Sequence, residues 1–193
     1  MKRLCVFCGS SKGNSERIEG TARELGEAVA LRGIELVFGG SHVGLMGVMA
    51  DAAIARGGKV IGVLPRFMAD KELAHTGLTQ LHLVDTMHER KQLMVELAEG
   101  FVALPGGFGT LEEIFEAITW GQLHLHAYLC GLLNADGYYD RLVEFLRRSV
   151  ADGFVRQAQL DSLIVATDVE ELFQRFEGFR PEKSEKWIPK QVI

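Results

Sequence analysis

Cysteine is scarce here: three residues in 193, an odd number that argues against a disulfide framework and suits a reducing compartment. Nothing at the N-terminus reads as a leader. Met1-Lys2-Arg3-Leu4-Cys5-Val6-Phe7-Cys8 sets basic residues before an apolar run, but the run breaks at Gly9-Ser10-Ser11-Lys12. That is short of a signal-peptide core of about 7 to 15 residues and far short of a membrane span of about 20, so a cytoplasmic protein with no membrane partner is expected. Excess basic charge is missing too. The net charge is -5, with 47% hydrophobic and 24% charged residues, which leaves no electrostatic footprint for nucleic acid. Linkers, low-complexity tracts and internal repeats are absent. A chain of this length fits a single domain, residues 1–193, able to bury about 70% of the surface its unfolded form exposes. A tail over residues 178–193 is rich in Lys, Glu and Pro, and only Trp187 and Ile188 in it suggest packing.

Short apolar runs alternate with helix-period segments along the whole chain. The runs at 4–8, 34–38, 60–64, 81–84, 101–104, 129–133 and 163–166 predict about seven strands. The intervals 15–32, 44–56, 86–99, 110–123, 138–151 and 168–176 place apolar residues at helical spacing. This βαβα pattern predicts an α/β, Rossmann-like, doubly wound parallel sheet with helices on both faces, and the runs are apolar throughout, as strands covered on both faces should be. Cys5 and Cys8 form a CxxC spacing. A redox CxxC opens a helix, whereas these two lie in a strand-like run where positions i and i+3 face opposite sides, so a buried-strand reading competes with the redox one and is favoured.

Ligands of such a sheet bind beyond the carboxyl ends of the strands, and three of those ends carry glycine-rich punctuation. They are Gly9-Ser10-Ser11, Gly39-Gly40-Ser41-His42-Val43-Gly44, and Pro105-Gly106-Gly107-Phe108-Gly109. Turns need glycine, and 22 of 193 residues are glycine, so plain turn chemistry competes with a phosphate or nucleotide seat. A full dinucleotide fingerprint is missing: the first turn lacks G-x-G-x-x-G, and after Gly107-Phe108-Gly109 the third glycine is replaced by Glu112. No Walker lysine is present. Both absences favour one phosphate over a di- or triphosphate.

Thr110-Leu111-Glu112-Glu113 matches a capping box, in which Glu113 would reach back to the N–H of a capping Thr110. A catalytic carboxylate is the rival reading of Glu113. Glu116, one turn on, is expected to face solvent or Arg and Lys neighbours. Arg90 and Lys91 open the helix before the motif strand, where a cation opposes the helix dipole, so they mark either an anion partner or a solvated face. His124 and His126 have a spacing that a metal accepts, but no Cys or acidic partner stands in register, and no metal is expected.

The run Pro105-Gly106-Gly107-Phe108-Gly109-Thr110-Leu111-Glu112-Glu113 resembles the PGGxGTxxE motif of the LOG ("Lonely Guy") phosphoribohydrolases. Cys8-Gly9-Ser10-Ser11, Gly39-Gly40-Ser41 with Gly44-Leu45-Met46-Gly47, Met87-His88-Glu89-Arg90-Lys91, Trp120-Gly121-Gln122-Leu123, and Gly131-Leu132-Leu133-Asn134 with Gly137-Tyr138-Tyr139 extend the resemblance over most of residues 4–150. It implies hydrolysis of the N-glycosidic bond of an N6-substituted adenosine 5'-monophosphate, or of AMP, without cofactor, in a homodimer. It also implies that Arg90 and Glu113 are the catalytic pair. Substrate contacts are implied for Glu72, Lys91, Thr119 and the run Gly107, Phe108, Gly109, Thr110, Leu111 and Glu112, with Ser10 and Gly40 from the other two glycine-rich turns. An apolar strip including Met46 or Met94 is the expected seat of an N6 prenyl group. Such proteins were long labelled lysine decarboxylases, yet this chain shows no lysine context for pyridoxal phosphate. The non-enzymatic alternative is a nucleotide or molybdenum-cofactor carrier on the same sheet. Two departures stand out: Ser41 replaces the third glycine of a GGG, and Tyr128-Leu129 replaces a Lys-Pro.

Overall fold

The computed structural model describes residues 1–69, 71 and 73–178. Seven parallel strands form one sheet in the order β4-β3-β2-β1-β5-β6-β7. They are β1 Arg3–Phe7, β2 Glu35–Phe38, β3 Val60–Pro65, β4 Gln80–Val84, β5 Gly100–Ala103, β6 Leu129–Leu133 and β7 Leu163–Ala166. Every expected strand is there, displaced by at most one residue at an end. The helices are α1 Glu16–Leu31, α2 Gly44–Ala55, α3 Arg66–Ala69, α4 Met87–Leu97, α5 Phe108–Gln122, α6 Asp140–Ala151, α7 Gln157–Asp161 and α8 Val169–Gly178. α3, α7 and a 3-10 turn at Ala135–Gly137 escape a periodicity reading, because one helical turn is too short to show a repeat.

Each face of the sheet has its own core. Leu25, Met49 and Leu172 from α1, α2 and α8 pack with Leu4, Leu36 and Phe38 on one side. Met94, Ile114 and Val143 from α4, α5 and α6 pack with Val37, Val63 and Phe101 on the other. Cys5 lies in the second core and Cys8 in the first, so the CxxC pair does face opposite sides of the sheet. Burial raises both thiols well above the ordinary range, the opposite of a reactive pair. Met94 is fully enclosed, which corrects the expectation that it lines a prenyl seat.

The strand order reverses at β1, which pairs with β2 on one side and β5 on the other. The chain leaving β1 turns to the face covered by α1 and α2, whereas the chain leaving β5 turns to the opposite face, covered by α5, and a crevice is left between them. No helix among the described residues is long and apolar enough to cross a membrane. Glu72 and the tail positions Trp187 and Ile188 lie outside the described residues.

Candidate functional site

At the crevice the three glycine-rich turns meet. The Gly9 N–H donates to Pro105 O at 3.0 Å and the Leu45 N–H to Gly9 O at 3.1 Å, which joins the turns after β1 and β5 to the start of α2. Ser10 sits exposed on this rim. Gly40 is buried behind it, with its carbonyl accepting from the His75 N–H at 2.9 Å. An ideal Cβ on Gly106 would stand 2.1 Å from Thr110 Oγ1 and 2.8 Å from Gly9 N, so only glycine lets the turn close this tightly.

α5 begins at Phe108, two residues before the expected start, and its N-cap is Gly107 with no side-chain cap. The capping box is therefore not formed. Thr110 lies inside the first turn, buried at 4% exposure, and Glu113 turns away from the helix start. The N–H groups of Phe108, Gly109 and Thr110 precede the helix ladder and have no intrahelical acceptor. Together with the positive end of the α5 dipole they are the kind of donors that a helix start offers to an anion. Phe108 is 95% exposed beside it.

Glu113 instead accepts from Arg90 Nη1 at 2.7 Å, and Arg90 Nε donates to Val63 O at 3.1 Å. Both side chains are only 10% exposed. Burial pushes the Glu113 carboxyl above its ordinary range, while the adjacent Arg90 charge and its hydrogen bond pull the other way. The result is a carboxylate held in place by a guanidinium in a poorly solvated setting, the kind of group that serves as a general base or stabilises a nearby positive charge. Gly39 makes room for the guanidinium, since an ideal Cβ there would lie 2.1 Å from Arg90 Nη2. We expect Gly39→Ala to displace Arg90 from Glu113, lowering kcat about tenfold or more and lowering the melting temperature as well, because both charges are left buried without their partner. Parallel kinetics and melting curves check this, and wild-type kcat in the variant would refute it.

Outside this pair, Lys91 Nζ bridges Glu112 and Glu116, the latter at 3.1 Å. Partial burial disfavours the Lys91 charge, but its bonds to the two carboxylates prevail and raise its pKa. Glu116 thus meets a lysine neighbour, as expected. Thr119 continues the same face of α5, exposed, with its hydroxyl donating to Phe115 O at 2.7 Å. Leu111 is half-buried beside the second core, and Met46, 8% exposed, brings its sulfur to 3.1 Å from the Cβ position of Gly39.

The histidines stand apart. His126 Nε2 bonds to Ala117 O at 2.9 Å and its Nδ1 accepts from the Tyr128 N–H at 3.2 Å, leaving no lone pair for a metal. Among the described residues no group of three His, Cys, Asp or Glu side chains is placed to hold one. Other parts of the site carried no side-chain signal. The Val63 carbonyl is backbone, and the tie from Ser41 Oγ to Leu73 O at 2.9 Å joins residues 32 apart. Ser41 therefore does more than replace a turn residue: its hydroxyl fastens the Gly39-Gly40 turn to the segment that follows α3.

Known proteins share both the motifs and the fold. The family model described as "Possible lysine decarboxylase" matches residues 46–176. Cytokinin riboside 5'-monophosphate phosphoribohydrolase LOG5 of Arabidopsis thaliana is 43% identical over 180 residues, 93% of this chain and 79% of that protein. The cytokinin riboside 5'-monophosphate phosphoribohydrolase of Rhodococcoides fascians is 46% identical over 170 residues, 88% of this chain and 86% of that one. The molybdenum cofactor binding protein of Rippkaea orientalis superposes with a TM-score of 0.70 at 20% identity, covering 92% of this chain and 97% of the other. The molybdenum cofactor carrier protein of Chlamydomonas reinhardtii gives 0.68 at 21% identity, over 91% and 96%. At such identity the likeness concerns the fold alone. Between shared architecture and shared motifs, the sequence relatives decide the lineage, and the chain belongs to the LOG family.

Proposed function

We propose that this chain hydrolyses the N-glycosidic bond of N6-substituted adenosine 5'-monophosphate, and of AMP, releasing the free base and ribose 5-phosphate. The observation that carries this reading is the buried Arg90–Glu113 pair beside the open first turn of α5. In the proposed complex the 5'-phosphate occupies the N–H groups of Gly107, Phe108, Gly109 and Thr110. Ser10, Gly40, Lys91, Leu111, Glu112 and Thr119 line the rest of the nucleotide site. Departure of the base, which takes the bonding electron pair and then a proton, builds positive charge at the anomeric carbon. Glu113 stabilises that charge and orients or deprotonates the water whose oxygen forms the new bond to carbon. Arg90 aims the carboxylate and keeps it ionised against burial. The names of the sequence relatives support the same chemistry.

A lysine decarboxylase using pyridoxal phosphate would need a lysine whose pKa is lowered enough to form a Schiff base. Lys91, the lysine beside the site, has its pKa raised by two carboxylates. A cofactor carrier shares the fold but has no use for a buried, preorganised carboxylate. Incubation of the pure protein with isopentenyladenosine 5'-monophosphate or AMP, followed by chromatography, is expected to show free base. Nucleotide binding without release of base would favour the carrier instead. We further infer a cytoplasmic homodimer: the three cysteines are free thiols, and Phe108 and Met87 are exposed apolar side chains that a second copy would cover. Light scattering on the same preparation should give twice the chain mass, and a monomer would refute it.

A further inference from the structure

The turn that leads into α5 is held by its carbonyls. Tyr139 Oη donates to Leu104 O at 2.6 Å, the Gly9 N–H to Pro105 O at 3.0 Å, and Tyr138 Oη to Gly106 O at 2.7 Å. Three successive peptide carbonyls are thus each gripped by a donor from elsewhere in the chain, two of them from the adjacent Tyr138 and Tyr139 and the third from Gly9. A peptide unit is planar and trans, so fixing its carbonyl also fixes the N–H on its other side. The grip on Pro105 O orients the Gly106 N–H, and the grip on Gly106 O orients the Gly107 N–H. Both are aimed away from their tethers.

The two tyrosines differ in what their bonds accomplish. Tyr139 is 1% exposed, and its hydroxyl serves a carbonyl that water cannot reach, a structural need. Tyr138 is 48% exposed, at a rim where water could serve the Gly106 carbonyl equally well. Its bond is therefore not required for burial, and what it adds is orientation. The tyrosine itself is well anchored. Its ring meets that of Tyr139 edge-on at 5.0 Å, and the Tyr139 N–H donates to Asn134 Oδ1 at 2.6 Å. Asn134 in turn bonds to Asp140 at 2.7 Å. On the far side of the turn the backbone is bare: ideal Cβ atoms on Gly107 and Gly109 would meet nothing within 4 Å. Packing does not demand glycine at these two positions, and the bare backbone leaves room for a ligand to approach closely.

We propose that Tyr138 is a positioning residue: its hydroxyl fixes the Gly106–Gly107 peptide so that the Gly107 N–H meets the 5'-phosphate of the substrate. This rests on the hydrolase reading above. The test is Tyr138→Phe, which keeps the ring and its contact with Tyr139 and removes one exposed hydroxyl. We expect KM for AMP and Kd for ribose 5-phosphate, measured by titration calorimetry, each to rise about fivefold, the effect of one neutral hydrogen bond. The kcat and the melting temperature should stay near wild type, because neither the Arg90–Glu113 pair nor the core is touched. If KM and Kd are unchanged in a wild-type background that turns over normally, the assignment of Tyr138 falls and the hydrolase reading stands. A drop in kcat or melting temperature without a change in Kd would reduce Tyr138 to a structural role and also overturn the assignment. If the wild type neither releases base nor binds ribose 5-phosphate, the hydrolase reading itself fails and takes this proposal with it.

Discussion

Replacing Glu113 by Gln lowers the rate of base release about a thousandfold, the scale of a lost general base combined with a lost electrostatic partner for the transition state. The fold survives, because the amide matches the carboxylate in size and its oxygen still accepts from Arg90 Nη1, while Arg90 keeps its bond to Val63 O. Two effects on stability oppose each other. The substitution removes a carboxylate whose burial is unfavourable, as its raised pKa records, and it leaves the Arg90 charge without a counter-ion. Nucleotide affinity should change little, since the proposed anion seat is made of backbone N–H groups. Single-turnover release of base, read beside a melting curve and a nucleotide titration, separates these quantities. Near-wild-type turnover in Glu113→Gln would eliminate the proposed mechanism.

Arg90→Gln is expected to reduce kcat/KM about a hundredfold or more and to damage stability as well. The remaining Glu113 stays buried without its cation, and breaking a buried pair by removing one partner typically costs about 3 to 5 kcal/mol. The pH dependence gives the sharper reading. Arg90 is the main influence lowering the Glu113 pKa, while burial raises it above 4.5. Without Arg90 the folded-state pKa climbs further. A carboxyl whose folded pKa is raised destabilises the fold only once the unfolded form ionises. The stability deficit of the variant should therefore be small below pH 4.5 and grow as pH rises through the interval up to the new folded-state value. The acid limb of the kcat/KM profile should move to higher pH for the same reason, since more alkaline solution is needed to ionise the base. An unmoved acid limb would show that Glu113 is not the group whose ionisation controls the rate.

Much of the site could be read from local sequence because its parts are local: a strand, a glycine turn and a helix start between Phe101 and Glu116. The exact start of α5 could not, since Gly107 and Gly109 mask helix propensity and leave Thr110 as the first residue that looks like a cap. The role of Glu113 was ambiguous on the same grounds, and the two readings differ in energy. A capping interaction contributes about 1 kcal/mol, whereas a buried guanidinium left unpaired costs several times that. The carboxylate therefore turns to Arg90, a residue 23 positions away. Tyr138 and Ser41 stood out in the sequence, but their partners, Gly106 O and Leu73 O, did not, and neither did the Val63 carbonyl. A backbone carbonyl has no sequence signature at all.

By itself the sequence determined the alternation of strands and helices, the apolar faces of seven strands and the three glycine-rich ends, because these follow from spacing along a single chain. Tertiary structure alone decided which of those ends converge, that Glu113 pairs with Arg90 rather than with its own helix start, and that the turn before α5 is clamped by its carbonyls. Each depends on residues far apart in sequence, brought together where the strand order reverses, and there the energy of burying a charge outweighs local preference.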